Sequence, residues 1–266
     1  MQIVFSRMVS AAIVLAAFLS IKDRTCFRIK LRDLWMFVGT GFVSTCLFNY
    51  CYFQSILLSE ASVAVVLLYT APAFVLLLSA VLFREKITAK KIVAVFLTVA
   101  GCAAVSDLLS IGYTVSLPAL FFGIAAGFLY SLYSIFSRFA LKKYAAGTIT
   151  FYTFVFGAIG SMLITDVRGI FTAVCADSST LIWILGIGSV CTVIPFFLYT
   201  LGLQTLEPGT AAVLVTVEPL VGALIGMVVY HENHSCFKLL GIALILASII
   251  MLSVKSKSKT SAEDEG

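Results

Sequence analysis

The chain is poor in charge. Only 12% of its 266 residues are Asp, Glu, Lys or Arg, and it holds two His, five Pro and two Trp. A soluble domain carries about 25% charged residues and about 45–50% apolar ones. Here 61% are hydrophobic and the mean hydropathy is +1.09. That shortage of charge excludes a soluble enzyme, a nucleic-acid binder and a disordered protein. The seven cysteines form no C-x-x-C pair, so no zinc or redox motif is written into the chain. They read as small hydrophobes inside apolar runs. No GxxxxGK[ST] is present, which removes a nucleotide-driven pump. His231, Glu232 and His234 are spaced H-E-x-H, not the H-E-x-x-H that puts two ligands on one helix face. No apolar run carries a His or a pair of acids at its centre, as intramembrane catalysis would require. No catalytic residue, cofactor or metal is expected.

What remains is apolar sequence in long runs. Nine segments stand between charges and turn residues: 3–21, 34–53, 63–83, 92–109, 118–137, 148–165, 180–201, 210–230 and 239–254. A bilayer offers the backbone no water, so segments this apolar must span as helices. The strict alternation of a membrane barrel is absent. The fold expected is all-α, a polytopic integral membrane helical bundle of nine transmembrane helices.

Charge then sets orientation. The loops fall alternately on two sides, and one side holds fifteen Lys and Arg against two on the other. Basic loops stay in the cytoplasm. The C-terminus and its polar tail (255–266) are therefore expected in the cytoplasm, and Met1 outside. Lys22, Arg24, Arg28, Lys30 and Arg32 follow the first segment rather than precede it, so that segment reads as a retained span and not a cleaved leader.

The chain also repeats itself at a spacing of 147 residues without a gap. Tyr52 pairs with Tyr199, Glu60 with Glu207, Pro72 with Pro219, Glu85 with Glu232 and Lys91 with Lys238. Gly39 and Gly41 pair with Gly186 and Gly188. Chance matches are common in apolar sequence, so the scarce Glu and Pro residues carry the argument. Five spans separate each pair, and five is odd, so the second copy is inverted. Residues 1–109 form a first repeat of four helices and 110–254 a second of five. The partner of 118–137 would fall before Met1, so the first repeat is expected to lack its first helix. Inverted repeats are a recurring build for secondary transporters, with the substrate site near the midplane between the halves.

The stretches VLLYTAPAFVLLLSAVLFREKIT (66–88) and VLVTVEPLVGALIGMVVYHENHS (213–235), each closed by a Glu, resemble the drug/metabolite transporter superfamily in its EamA-type branch. FSRMVSAAIVLAAF (5–18) is similar to the family's Arg-bearing second span. The resemblance covers nearly the whole chain. It implies a transporter in the cell (inner) membrane that moves a small organic solute, such as an amino acid, another metabolite or a drug, and in the outward direction. The family's usual ten helices leave an alternative: a non-transporting or truncated membrane subunit that needs a partner to complete the bundle.

The residues expected to line the path are Asn49, Tyr69, Tyr130, Ser134, Thr192 and Glu218. Glu218 is the sharpest, because a carboxylate inside a span costs about 2.5–3.5 kcal/mol on insertion scales and faces protein or water. It suits a cationic substrate or a coupling proton; its alternative is to cap backbone freed by Pro219. Pro72 and Pro219 each remove a helix hydrogen bond and are the expected hinges, with a static bend as the alternative. Gly123, Gly127, Tyr130, Ser134 and Ser137 lie on one helix face. Tyr52 and Tyr199 read as interface anchors. The expected partners are a small-molecule solute and the lipid bilayer, with a homodimer left open and no nucleic acid.

Overall fold

A computed structural model describes residues 1–22, 24–105, 116–166, 169, 179–229 and 236–253. Among these residues there is no strand. Nine helical units follow one another: α1 (Gln2–Lys22), α2 (34–58), α3 (Ala61–Phe83), α4 (Ala89–Val105), α5 (Leu117–Ala140), α6 (Ala146–Met162), α7 (179–205), α8 (208–229) and α9 (Cys236–Ser253). Six of them are long and apolar enough to cross a membrane, and α6 and α9 are shorter apolar helices. The chain is a polytopic helical membrane bundle.

Its surface is that of a protein solvated by lipid. Ile3, Ile13 and Ile21 of α1, Val81 of α3, Phe96 of α4 and Ile182 and Trp183 of α7 are all more than half exposed. The other face of α1 presents Val4, Met8, Ala11, Leu15 and Leu19 to Phe154 of α6. Both faces of α1 are apolar, since lipid replaces water on the outside. The helix ends gather into two layers. In one, Lys143 meets Asp33 at 2.6 Å, Lys91 meets Glu207 at 2.6 Å, and Arg138 Nη1 donates to Leu203 O at 2.6 Å. In the other, Gln2 Nε2 donates to Asp166 O at 3.3 Å and Ser116 Oγ to Leu58 O at 3.4 Å. These contacts join loops that the charge alternation assigns to the same side.

Two helices carry wide turns that the apolar pattern does not foretell. Gly39–Leu47 in α2 and Ser189–Val193 in α7 are π-helical. In each, hydroxyls bond the carbonyl five residues back. Ser44 Oγ donates to Gly39 O at 2.8 Å, Thr45 Oγ1 to Thr40 O at 2.9 Å and Thr192 Oγ1 to Ile187 O at 3.1 Å. In α7 the wide turn precedes Pro195, whose missing N–H disrupts the ordinary ladder. Thr45 and Thr192 are 147 residues apart, and the same residue type makes the same bond at both positions.

The packing repeats as well. Gly41 of α2 lies against α6, where an added Cβ would fall 2.8 Å from Gly157 N. Gly188 of α7 lies against α1, where an added Cβ would fall 2.8 Å from Ser10 Cβ. A shift of 147 carries Gly41 to Gly188 and Ser10 to Gly157, so one contact is the image of the other. The seam between α4 and α9 maps onto itself. Ser248 Oγ donates to Ala94 O at 2.9 Å, and a Cβ on Gly101 would fall 2.9 Å from Gly241 O. The same shift carries Ala94 to Gly241 and Gly101 to Ser248.

Candidate functional site

Two helices are broken near their middles. The first half of α3 stops at Leu68 and the second starts at Ala71. The first half of α8 stops at Leu214 and the second starts at Val217. A threonine sits in each break. Thr70 Oγ1 donates to Leu67 O at 2.7 Å and Thr216 Oγ1 to Val213 O at 2.6 Å. Such local bonds compete with the helix ladder. Pro72 and Pro219 follow in the first turn of each second half. There a missing N–H costs little, but the carbonyl four residues back loses its donor. At α8 the loss is repaired: the Glu218 N–H donates to Val215 O at 2.9 Å. The two prolines therefore start helices rather than bend them, and each break lies just before its proline.

The break in α3 is packed against two glycines of α5. A Cβ on Gly127 would fall 2.7 Å from Thr70 Oγ1 and 3.1 Å from Leu67 O, and one on Gly123 would fall 2.8 Å from Leu67 Cβ. Only a residue without a side chain lets α5 approach the opened backbone this closely.

Glu218 stands in the first turn after the break in α8, inside the span Pro208–Ile225. Its side chain is exposed in the bare chain, and the charge sits favourably at the start of a helix segment. Tyr52, Tyr69 and Tyr130 all lie within its electrostatic reach. Tyr69 falls in the α3 break and packs beside Cys102, Leu220 and Ile245. Tyr130 meets Phe48 edge to face with centroids 5.2 Å apart, and Phe48 stacks on Tyr52 at 5.9 Å. Three of the expected residues, Tyr69, Tyr130 and Glu218, thus converge from α3, α5 and α8. Asn49 is a neighbour of Phe48 in sequence, but it is buried and its Nδ2 donates to Thr45 O of its own helix at 2.7 Å.

Ser134 and Thr192 lie elsewhere. Ser134 Oγ and Tyr199 OH share a hydrogen bond of 2.7 Å, and Tyr133 OH shares one of 2.7 Å with Thr200 Oγ1. These link α5 to α7. Thr192 is fully buried in the π turn, which packs against α1. The anchor reading of Tyr52 and Tyr199 is corrected. Tyr199 bonds inside the bundle, and Tyr52 faces the aromatic group beside Glu218. Position near a span end suggested anchors, whereas the repeat pairing of these two tyrosines was the signal for an internal role. His231, Glu232 and His234 lie outside the described residues.

Crossing helices, lipid-facing apolar side chains and broken helices with a mid-span acid define a class, the polytopic membrane transporters. Residues 1–107 and 117–254 match the EamA-like transporter family, and the chain belongs to it. An uncharacterized transporter of Archaeoglobus fulgidus is 30% identical over 200 residues, covering 75% of this chain and 70% of that one. The uncharacterized transporter YetK of Bacillus subtilis is 24% identical over 260 residues, covering 94% and 77%. A solved crystal structure at 16% identity superposes with a TM-score of 0.76 over 94% of this chain and 85% of that one, which bears on the fold alone.

Proposed function

We propose that the protein is a secondary transporter, an exporter of a small organic solute such as an amino acid, another metabolite or a drug, and not an enzyme. It works by alternating access between two inverted repeats, 1–109 and 110–254, in the cell membrane with the C-terminus in the cytoplasm. The observation that carries this reading is Glu218 at the break of α8, two residues before Leu220, which packs with Tyr69 of the α3 break, with Tyr52 and Tyr130 within electrostatic range. A carboxylate at that depth needs water, a cation or a proton. Beside three phenols it is suited to an amine-bearing solute or to a coupling proton. Asn49, Ser134 and Thr192, whose hydrogen bonds are made within the bundle, stand behind this path rather than in it. The breaks before Pro72 and Pro219 serve as the hinges. The division into repeats is supported by the π turns and glycine contacts that recur at 147 residues.

A further feature fits the cycle. Lys91 lies 2.6 Å from Glu207 and 3.7 Å from Glu85, which ties the α3–α4 corner to the start of α8. Its counterpart in sequence at a spacing of 147 is Lys238, Glu60 and Glu232. Release of the Lys91 tie frees the α3–α4 corner to move against α8 as access changes.

The test is uptake and efflux in proteoliposomes holding the purified protein, screened with amines and amino acids between about pH 5.5 and 8. The reading expects solute flux that Glu218→Gln abolishes or makes independent of pH while the protein still inserts. Unchanged flux in that variant removes Glu218 from the mechanism.

A further inference from the structure

A cleft of about 510 Å³ opens at one end of the bundle, lined by Lys30, Arg32, Asp33, Trp35, Met36 and Lys143. It is far in sequence from Glu218 and none of its residues belongs to the path above. Its frame is fixed. Asp33 is 3% exposed; its Oδ1 accepts from Lys143 Nζ at 2.6 Å and its Oδ2 from Tyr144 OH at 2.8 Å. Tyr144 OH in turn accepts the Lys30 backbone N–H at 3.1 Å. One acid lines the cleft, both of its oxygens are taken, and the lining cations number three. Lys30 and Arg32 therefore supply an excess of positive charge to the opening.

The rim is apolar. Leu31 is 82% exposed and Trp35 is 48% exposed. Trp35 rests its ring against Phe136 and Phe139 of α5, with centroids 6.0 and 5.8 Å away. A half-exposed Trp at the start of a span sits at headgroup level. Cations beside an aromatic and a leucine at that depth match one ligand better than a free anion does. The phosphate meets Lys30 and Arg32, and the hydrocarbon runs down past Trp35 and Leu31. We infer that this cleft is a binding site for the phosphate headgroup of an anionic phospholipid, taken from the leaflet that holds the basic loops. Naming that leaflet cytoplasmic rests on the orientation above; the site itself does not depend on transport.

The test titrates phosphatidylglycerol into nanodiscs of phosphatidylcholine that hold the full chain. Bound lipid is read by native mass spectrometry and the unfolding midpoint by heating. The double variant Lys30→Gln/Arg32→Gln is expected to bind phosphatidylglycerol at least about fivefold more weakly, and its midpoint should stop rising with that lipid. Both side chains are exposed, so the fold should survive. The control Lys22→Gln/Arg28→Gln removes exposed charge of the same sign outside the cleft and should respond as the parent does. Inorganic phosphate at matched concentration should leave the midpoint unchanged. Equal lipid binding in the first variant, an equal loss in the control, or a matching rise with phosphate would each overturn the proposal. The last would make the cleft a site for soluble anions.

Discussion

Helices α3 and α8 are built alike, yet they differ at one position that matters. Both break near the middle, both hold a threonine hydroxyl in the break, and both carry a proline in the first turn after it. The breaks are one residue out of register: Thr70 would map to 217, and the threonine stands at 216. The position before the proline is Ala71 in α3 and Glu218 in α8. Ala71 is 3% exposed, packed in the interior, whereas Glu218 is exposed. The apolar copy demonstrates that the architecture needs no acid to break and restart a helix. The break itself therefore does not require the acid at 218, and the correspondence at 147 residues stops at that position.

Exchanging the two residues tests that contrast most strongly. Glu218→Ala is expected to lower solute flux by at least about tenfold, a loss of about 1.4 kcal/mol in the limiting step. Adding Ala71→Glu should not restore it, because position 71 is closed. Restored flux would mean that either copy can hold the charge.

The next contrast is between the two glycine contacts. Gly41→Val drives its side chain into the Thr153 carbonyl and the Gly157 backbone, whereas Gly188→Val first meets the Ser10 side chain. Overpacking costs about 1–3 kcal/mol, and Gly41→Val should lie at the upper end because backbone yields less than a side chain. Thermal unfolding in one detergent compares them, with Ser10→Ala expected to soften Gly188→Val and to leave Gly41→Val unchanged.

A smaller effect separates the two hydroxyl pairs joining α5 to α7. Ser134→Ala and Tyr133→Phe should each lower stability by about 0.6 kcal/mol, the average for interhelical polar bonds in membranes. Thr200 also donates to Phe196 O at 2.8 Å. It keeps a partner when Tyr133 is changed, so Tyr133→Phe should be the milder.

The smallest effect is one of pH at the Lys91 cluster. Burial pushes the Glu85 carboxyl above its ordinary range, and repulsion from Glu207 adds to this, against Lys91 and Arg138, which lower it. An acid whose proton affinity is raised when the cluster forms favours that arrangement while protonated. The preference is complete below the ordinary carboxylate value and is lost as pH rises through the raised one. Spin labels at Ala89 and Leu206 should therefore separate as pH rises, and Glu85→Gln should flatten the response.

Much of this molecule was legible in its residues. Nine apolar runs, with basic residues gathered on alternate loops, gave the bundle and its layering, because lipid leaves helices as the only spans available. The correspondence at 147 residues stands out in the sequence because Glu, Pro and Tyr are scarce against so apolar a background. Glu218 stood out for the same reason. The roles of Tyr52 and Tyr199 were not legible. Distance from a span end separates an anchor from an internal group poorly, because it does not say which face of the helix carries the side chain. The π turns were not legible either, since a hydroxyl reaching back five residues leaves the apolar pattern unchanged.

By itself the sequence determined what the chain is dissolved in, that it crosses repeatedly as helices, and which loops have ends that meet in the structure. These follow from transfer free energies summed over whole segments. The tertiary structure alone decided which polar groups are consumed by the fold and which gather at the helix breaks. Asn49, Ser134 and Thr192 are bound to backbone or to a neighbouring hydroxyl, whereas Tyr69, Tyr130 and Glu218 gather where α3 and α8 are broken. The reason is physical: inside a bundle a polar side chain takes the partner nearest in space, and nearness across helices is set by where glycines permit close approach.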